Sequence, residues 1–277
     1  MCGIFGVLGF NNHKVPNEKE ALNIVKSLSH RGPDSIGVYS KEEFCTSHTR
    51  LSIIDISSGN QPMLSNDQRW VISYNGEIYN YMFLKKELIN QGYKFKTNSD
   101  TEVLLNGLIQ FGINFLKKIE GMYAFALYDN KKKQLLLGRD HVGMKPLYYS
   151  ITDNFIVFGS EIKAIFKSKL VGKKINENAI FEFFCRHSTP YLQTMYKNIY
   201  EVEPGTCLKI DNNNKISKHT YYKIENGWEN IKKHEIPKSN ITTMDVLINR
   251  FIETLGCHFV SLVSSINRIC YMRYWKF

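Results

Sequence analysis

The chain has 277 residues, of which 43% are hydrophobic and 22% are charged, and these proportions are typical of a soluble globular protein. Its net charge of +10 comes from scattered lysines and arginines, without the basic and aromatic patches of nucleic-acid-binding surfaces, so we expect no nucleic-acid partner. No apolar run approaches the ~20 residues of a membrane span, and the six cysteines form no CxxC pair and no zinc-ligand spacing. We therefore expect a cytoplasmic protein with reduced cysteines, no metal site and no membrane contact.

The predicted strands and helices occur in groups along the chain. Short runs of aromatic and β-branched residues predict strands at residues 38–39, 44–52, 70–74, 122–128, 134–139, 147–151 and 155–159. Apolar residues at helical spacing predict helices at 18–28, 81–89, 102–115 and 175–184, the last with Asn176 as its cap. Because runs of consecutive strands separate the helices, the pattern favours an α+β fold with antiparallel sheets over a repeated βαβ unit.

Cys2 is the first candidate catalytic residue. Once Met1 is removed, the thiol and the free α-amine of Cys2 belong to one residue. An amine with a pKa of about 7.7–8.0 can accept the proton of a thiol with a pKa of about 8.5, so one residue supplies nucleophile and base. The apolar residues after Cys2 also predict a first core strand, and this opening segment alone favours that structural interpretation.

Five further polar segments carry candidate site residues: HRGPD (30–34), RLSIID (50–55), GNQPM (59–63), YNGEIYN (74–80) and SDTE (99–102). Each also has a purely structural interpretation. Asn75-Gly76 is a frequent hairpin dipeptide, Asp100 is a suitable helix N-cap, and Arg50 fits an exposed strand position. Taken singly, these structural interpretations are favoured, whereas the order and spacing of the segments indicate a shared site.

In this order the segments resemble the class II glutamine amidotransferases, and within them the glutamine-dependent asparagine synthetases. The resemblance continues through GMYAFALYD (121–129), GRDHVGMKPLYY (138–149), FGSEIKAI (158–165) and EVEPGTCLKI (201–210), and covers residues 2–210 without an evident gap. It implies the four-layer αββα sandwich of N-terminal-nucleophile hydrolases, in which helices flank two antiparallel sheets. It also implies hydrolysis of glutamine to glutamate and ammonia, with the ammonia destined for ATP-dependent amidation of aspartate.

The resemblance implies the following catalytic roles. Cys2 attacks the carboxamide of glutamine and forms a γ-glutamyl thioester, which water then hydrolyses. The side-chain amide of Asn75 and the backbone N–H of Gly76 form the oxyanion hole, where each donor contributes about 3–4 kcal/mol in comparable sites. His30 and Arg31 lie near the site and receive no catalytic role.

The resemblance also implies the residues that bind glutamine. Arg50 holds the α-carboxylate, for which a planar guanidinium is suited as a bidentate donor. Asp100, helped by Glu77, holds the α-ammonium. The neighbouring backbone lines the same pocket, through Leu51, Ser52, Ile53 and Ile54.

The resemblance divides the chain into a glutaminase domain at residues 2–211 and a segment at 212–277, interpreted as a linker and a truncated or aberrant start of the synthetase domain. The family's pyrophosphate-binding sequence SGGxDS is expected shortly after residue 250 and does not occur. Leu247, Ile248, Phe251 and Leu255 share one helical face, and unpatterned sequence follows. We interpret this ending as a truncation or a frame change.

The glutaminase half is expected to need no cofactor, and ATP and Mg²⁺ are expected only where a synthetase half is supplied. Besides glutamine, the expected partners are a separate synthetase polypeptide or further copies of this chain. Two other interpretations stay open. One is a glutaminase subunit that serves a different synthetase, and the other is a non-catalytic remnant.

Overall fold

The strands of the protein form two antiparallel sheets. The computed structural model describes residues 1–211 and 213–223, and the elements below belong to those residues. In chain order the strands are β1 (Gly3–Gly9), β2 (Ser35–Lys41), β3 (Phe44–Arg50), β4 (Met63–Leu64), β5 (Trp70–Ile78), β6 (Gly121–Asp129), β7 (Gln134–Arg139), β8 (Tyr148–Ile151), β9 (Phe155–Gly159), β10 (Tyr200–Glu201), β11 (Thr206–Asp211) and β12 (Ile216–Thr220). Sheet A has the order β10-β8-β9-β1-β3-β2, and sheet B has the order β12-β11-β7-β6-β5-β4.

Side-chain caps define where several of the helices begin. The helices are α1 (Glu18–Val25), α2 (Tyr81–Asn90), α3 (Asp100–Phe111), α4 (Ile162–Lys167) and α5 (Glu177–Arg186), with 3₁₀ turns at Lys26–Leu28 and Gly112–Lys118. Asn17 and Glu20 form a capping box at the start of α1, which satisfies two backbone groups that the helix leaves free. The Asn176 side chain accepts from Ala179 N at the start of α5, as the sequence predicts.

Alternating side chains on β1 separate two layers of the core. Phe5 and Val7 pack with α1 and α4, whereas Ile4 and Leu8 pack against residues of sheet B. This is the two-residue period of a strand that is buried on both faces. A third cluster packs the other face of sheet B against α2 and α3. The order is therefore helices, sheet A, sheet B, helices, which confirms the predicted αββα sandwich.

Two of the structural interpretations near the candidate site do not match the structure. The strand predicted at 70–74 continues to Ile78, so Asn75-Gly76 lies inside β5 and forms no hairpin turn. Pairing with β6 along the whole strand decides this, because tertiary pairing overrides a local turn preference. Asp100 is the first residue of α3, and the N-cap is Ser99, whose hydroxyl accepts from Thr101 N.

Several predicted boundaries also differ from the structure. The helix predicted at 102–115 ends at Phe111, because Gly112 has a φ of 59° and the chain continues as a 3₁₀ turn. The strand predicted at 44–52 ends at Arg50, and the strand predicted at 38–39 extends over Ser35–Lys41. The described part of the chain contains no helix that is long and apolar enough to cross a membrane.

The end of the folded unit lies beyond residue 211. Residues 216–220, which the sequence analysis assigned to the linker, form β12 and pair with β11. The compact unit that holds both sheets covers Met1–Lys223. The interpretation of the two parts as a glutaminase domain and the start of a synthetase domain stays a prediction. The helical face at 247–255 and the tail at 255–277 lie outside the described residues.

Candidate active site

The Cys2 thiol lies where two neighbouring strands of sheet A meet. Cys2 directly precedes β1, and Leu51 directly follows β3, its antiparallel partner. Leu51 N is 3.4 Å from Cys2 Sγ and donates to it, while the thiol faces Leu51 O at 3.7 Å. Burial raises the pKa of the Cys2 thiol, and the Leu51 N–H opposes this shift. The thiol is therefore protonated at neutral pH and needs a base before it can act as a nucleophile.

Arg31, to which the sequence analysis gave no role, holds the main chain of the candidate nucleophile. Its Nε donates to Cys2 O at 2.8 Å, and its Nη1 donates to Glu161 Oε1 at 3.0 Å. Burial alone would raise the pKa of Glu161, but hydrogen bonds from Lys163, Arg31 and His30 lower it to about 2. Arg31 thus has a partner that is ionised at neutral pH. Its place in the HRGPD segment was the available sequence signal.

The side chains of Asn75 and Glu77 point from β5 into the space between the sheets. Ser73, which shares this face of the strand, lies with its Oγ 2.8 Å from Thr46 Oγ1 on β3 of sheet A. Asn75 Nδ2 and Glu77 Oε2 are buried and have no hydrogen-bond partner among the described residues. A buried polar atom without a partner costs about 1–3 kcal/mol, so both atoms indicate a bound ligand.

The backbone N–H of Gly76 points to the same edge of β5 as those of Tyr74 and Ile78. Tyr74 N donates to Gln61 Oε1 at 2.6 Å, and Ile78 N donates to Asp100 Oδ2 at 3.1 Å. Because alternate residues of an antiparallel strand direct their N–H groups the same way, the Gly76 N–H lies between these two contacts. A Cβ on Gly76 would lie 2.4 Å from Met122 O, so the backbone packing requires glycine.

Asp100 is a buried carboxylate at the start of α3. Its Oδ2 accepts from the Tyr74 hydroxyl at 2.9 Å and from Ile78 N. Burial and the charge of Glu77 together raise the pKa of Asp100 to about 6, against the lowering effect of these two hydrogen bonds. Two carboxylates that act on each other in a buried region favour a cationic ligand. This is the environment that the α-ammonium prediction requires.

Arg50 is buried and is not the exposed strand charge of the structural interpretation. Its guanidinium donates to the carbonyls of Ile54, Asp55 and Ile56 and to Asn60 Oδ1. Arg50 therefore holds the 51–60 loop (residues 51–60) in place. Its contact with a substrate carboxylate stays a prediction.

The four residues of this loop that were predicted to line the pocket lie in different environments. Leu51 contacts the Cys2 sulfur, and Ile54 O accepts from Arg50. Ser52 N donates to Asp34 Oδ2 at 2.7 Å, which connects the loop to the HRGPD segment. Ile53 is exposed. Of these four residues, Leu51 is the one whose backbone is hydrogen-bonded to the candidate nucleophile in the contacts described above. Among the residues that the structure describes, no group of three or more His, Cys, Asp or Glu side chains could hold a metal ion.

Comparison with known proteins shows the family to which the chain belongs. The model of the family described as "Glutamine amidotransferase domain" matches residues 1–222. The glutamine-hydrolysing asparagine synthetase 1 of Bacillus subtilis is 36% identical over 228 residues, which are 80% of this chain and 35% of the relative. The glutamine-hydrolysing asparagine synthetase B of Escherichia coli is 41% identical over 166 residues, which are 60% of this chain and 30% of the relative. The chain thus spans about a third of the length of these relatives.

The solved structures define the fold. The glutamine phosphoribosylpyrophosphate amidotransferase of B. subtilis superposes with a TM-score of 0.58 at 23% identity, over 79% of this chain and 49% of that one. The two antiparallel sheets between helical layers, with a cysteine at the start of a central strand, have the fold of the N-terminal-nucleophile hydrolases. The chain itself belongs to the glutamine amidotransferase domain family, whose model matches residues 1–222.

Proposed function

We propose that this protein hydrolyses the side-chain amide of glutamine to glutamate and ammonia, with Cys2 as the nucleophile. The observation that carries the proposal is that two of the four buried side-chain atoms without partners among the described residues, Asn75 Nδ2 and Glu77 Oε2, lie on one face of β5. One is a donor suited to an oxyanion, and the other is an acceptor suited to an ammonium group. Glutamine needs both, because it combines a reacting carboxamide with an α-ammonium.

The chemistry begins when Met1 has been removed. The α-amine of Cys2 takes the thiol proton, and the thiolate attacks the amide carbon, while the Leu51 N–H stabilises negative charge on sulfur. Asn75 Nδ2 and the Gly76 N–H donate to the oxyanion that forms. The tetrahedral intermediate collapses, the amine returns the proton to the leaving nitrogen, and ammonia departs. Water then attacks the γ-glutamyl thioester, which releases glutamate and restores the thiol.

In this proposal, the α-ammonium and the α-carboxylate of glutamine bind to two different regions of the site. The α-ammonium lies between Asp100 and Glu77, whose charges already act on each other. The α-carboxylate is bound by Arg50. Both Nη groups already donate to four acceptors in the 51–60 loop, so a two-point contact with the carboxylate exchanges some of these bonds for bonds to the substrate. Binding of the ammonium group favours the ionised form of Asp100, so glutamine itself lowers the pKa of that carboxyl.

We further propose that the ammonia serves the amidation of aspartate to asparagine, as the names of the curated relatives indicate for those proteins. Hydrolysis itself uses no cofactor in this scheme. ATP and Mg²⁺ belong to the activation of aspartate in a synthetase half, whether linked to this domain or supplied by another polypeptide.

The described part of the chain contains four free thiols, those of Cys2, Cys45, Cys185 and Cys207. Free thiols support a reducing compartment such as the cytoplasm.

Amide-labelled glutamine tests the proposal. The full chain is incubated with labelled glutamine, with and without aspartate and MgATP, and glutamate, labelled ammonia and labelled asparagine are followed together. We expect glutamate and ammonia in equal amounts, and loss of both in Cys2→Ala. Asparagine formation would extend the activity to the complete synthetase reaction. A folded protein that has lost Met1 and leaves glutamine intact would contradict the proposal and favour a non-catalytic remnant.

A further inference from the structure

The edge of β5 that carries the Gly76 N–H is held by side chains instead of a long neighbouring strand. β4 has two residues, and they pair with Val71 and Ile72. From Ser73 onward, contacts from other segments take the place of strand pairing on this edge. We propose that Tyr74 and Gln61 are positioning residues that align the Gly76 donor with the Asp100 carboxylate. This proposal rests on the proposed glutamine site.

Tyr74 is fixed at three points, each by the side chain of a different segment. Its N–H donates to Gln61 Oε1 at 2.6 Å, and its carbonyl accepts from His48 Nε2 at 2.9 Å. Its hydroxyl donates to Asp100 Oδ2 at 2.9 Å. All four side chains are buried. Burial lowers the pKa of His48 to about 4, so the ring is neutral and Nε2 carries the proton that Tyr74 accepts.

Gln61 connects this edge to the start of α3. While its Oε1 accepts from Tyr74 N, its Nε2 donates to Thr101 Oγ1 at 3.3 Å. Thr101 follows Asp100 directly in the helix. One amide therefore joins the strand that bears the oxyanion donor to the helix that bears the ammonium acceptor. Gln61 also follows the 51–60 loop that Arg50 holds, so it lies where three parts of the site meet.

These contacts set the distance between the oxyanion donors on β5 and the Asp100 carboxylate, which must bind opposite ends of one glutamine. Asn75 and Gly76 come directly after Tyr74 in the strand, and Asp100 is bonded to the Tyr74 hydroxyl. A displacement of about 1 Å in such a site can lower the rate by about 100-fold. Neither Tyr74 nor Gln61 needs to touch glutamine to control how well it reacts.

Glutamine binding to a protein without its nucleophile tests the role of Tyr74. Titration calorimetry compares the full-length Cys2→Ala protein with the Cys2→Ala, Tyr74→Phe double variant between about pH 5 and 8. Asp100 is faced by Tyr74 and Glu77 on β5, by Cys2 before β1 and by Tyr81 at the start of α2. Because the Tyr74 hydroxyl favours the ionised form of Asp100, its loss should weaken binding about tenfold near neutral pH. The pH at which affinity is lost should rise by roughly one unit.

Gln61→Met tests the second residue in the active protein, since methionine keeps the length of the side chain and removes both hydrogen bonds. We expect kcat for ammonia release to fall about tenfold or more, because the strand loses its alignment with α3. The control for the loss of a buried hydrogen bond is Tyr128→Phe. Like Tyr74→Phe, it removes a buried tyrosine–carboxylate hydrogen bond, here to Glu43 at 2.8 Å in the core between the sheets. This control should lose stability and keep its kcat.

The outcomes separate the two proposals. If the Cys2→Ala parent does not bind glutamine, the proposed function fails. If the parent binds glutamine and Tyr74→Phe binds it with the same affinity and the same pH dependence, the positioning role of Tyr74 is overturned. If Gln61→Met keeps the parent kcat, or if Tyr128→Phe lowers kcat as much, the positioning role of Gln61 is overturned.

Discussion

β5 and the 51–60 loop both supply predicted glutamine ligands, yet their polar groups are in opposite states. On β5, Asn75 Nδ2 and Glu77 Oε2 are buried without a hydrogen-bond partner. In the loop, three carbonyls and the Asn60 side chain accept from the guanidinium of Arg50, the last residue of β3. The first region maintains polar groups that a substrate would satisfy, and the second is held in place by a charged group that helps to build the pocket wall.

This difference separates residues that serve chemistry alone from residues that serve both chemistry and stability. Removing a polar group that has no partner leaves no other buried group unsatisfied. Removing a guanidinium that holds several carbonyls leaves those carbonyls unsatisfied, at about 1–3 kcal/mol for each one that stays buried. Activity and stability are therefore expected to change independently on β5 and together in the loop.

Asn75→Ala should show the largest effect on activity. Loss of one oxyanion donor lowers kcat by about 10²–10³-fold in comparable sites. The free energy of unfolding should change by less than about 1 kcal/mol, because Nδ2 has no protein partner to lose. Steady-state ammonia release and urea denaturation measure the two quantities. An unchanged kcat would remove Asn75 from the oxyanion hole.

Arg50→Lys should change activity and stability together. Lysine keeps the charge and lacks the planar fork, so we expect KM for glutamine to rise about 10- to 100-fold and the free energy of unfolding to fall by about 2 kcal/mol. Arg69→Lys is the matched control, because Arg69 forms a two-point ion pair with Asp129 on the far part of β6. A higher KM at full stability in Arg50→Lys would contradict the dual role.

Glu77→Gln should raise KM for glutamine about tenfold, since it removes one of two charges that face the α-ammonium. Stability should stay within about 0.5 kcal/mol of the parent. The Glu77 charge raises the pKa of Asp100. Its removal should therefore let binding persist to lower pH, opposite in sign to Tyr74→Phe. Measurement of KM against pH checks both statements, and an unchanged pH dependence would show that the two carboxylates are not coupled.

Gly59→Ala should give the smallest effect of the series. A Cβ at this position would lie 2.5 Å from Arg50 Nη2, which belongs to a flexible side chain, and 3.0 Å from Asp55 O. The guanidinium can shift, so we expect KM to rise only about threefold, with a small loss of stability. Gly172→Ala is the control, because the added Cβ meets no atom within 4 Å and the backbone there has no positive φ. Equal KM values in the two variants would mean that the exact placement of Arg50 is unimportant for binding.

The fold was largely predictable from the sequence, because most strands and helices have strong local patterns. The aromatic and β-branched runs mark seven strands within a few residues of their observed ends. The errors arose where tertiary contacts decide the structure. β5 continues through Asn75-Gly76 because β6 pairs with its whole length. The short strand β4 has too little sequence to form a recognisable pattern.

The site was predictable only in part. The motif residues Cys2, Asn75, Gly76 and Asp100 came from the family resemblance, and the structure gives each a suitable environment. Arg31, Gln61 and Tyr74 lay in or beside quoted motifs, but their contacts span 13 to 29 positions in sequence. Such contacts depend on strand register and on the order of the sheets, which no local pattern reveals. The second role of Arg50, as support for its own loop, was invisible for the same reason.

The most direct test of the central claim is to trap the nucleophile with a diazoketone analogue of glutamine and to map the adduct by peptide mass spectrometry. The account predicts an N-terminal peptide that begins at Cys2, lacks Met1 and carries the analogue on the Cys2 sulfur, with labelling suppressed by excess glutamine. Cys185→Ser, which removes an exposed thiol, should label equally. A protein that hydrolyses glutamine while it retains Met1, or that carries the adduct only at another cysteine, would contradict the account.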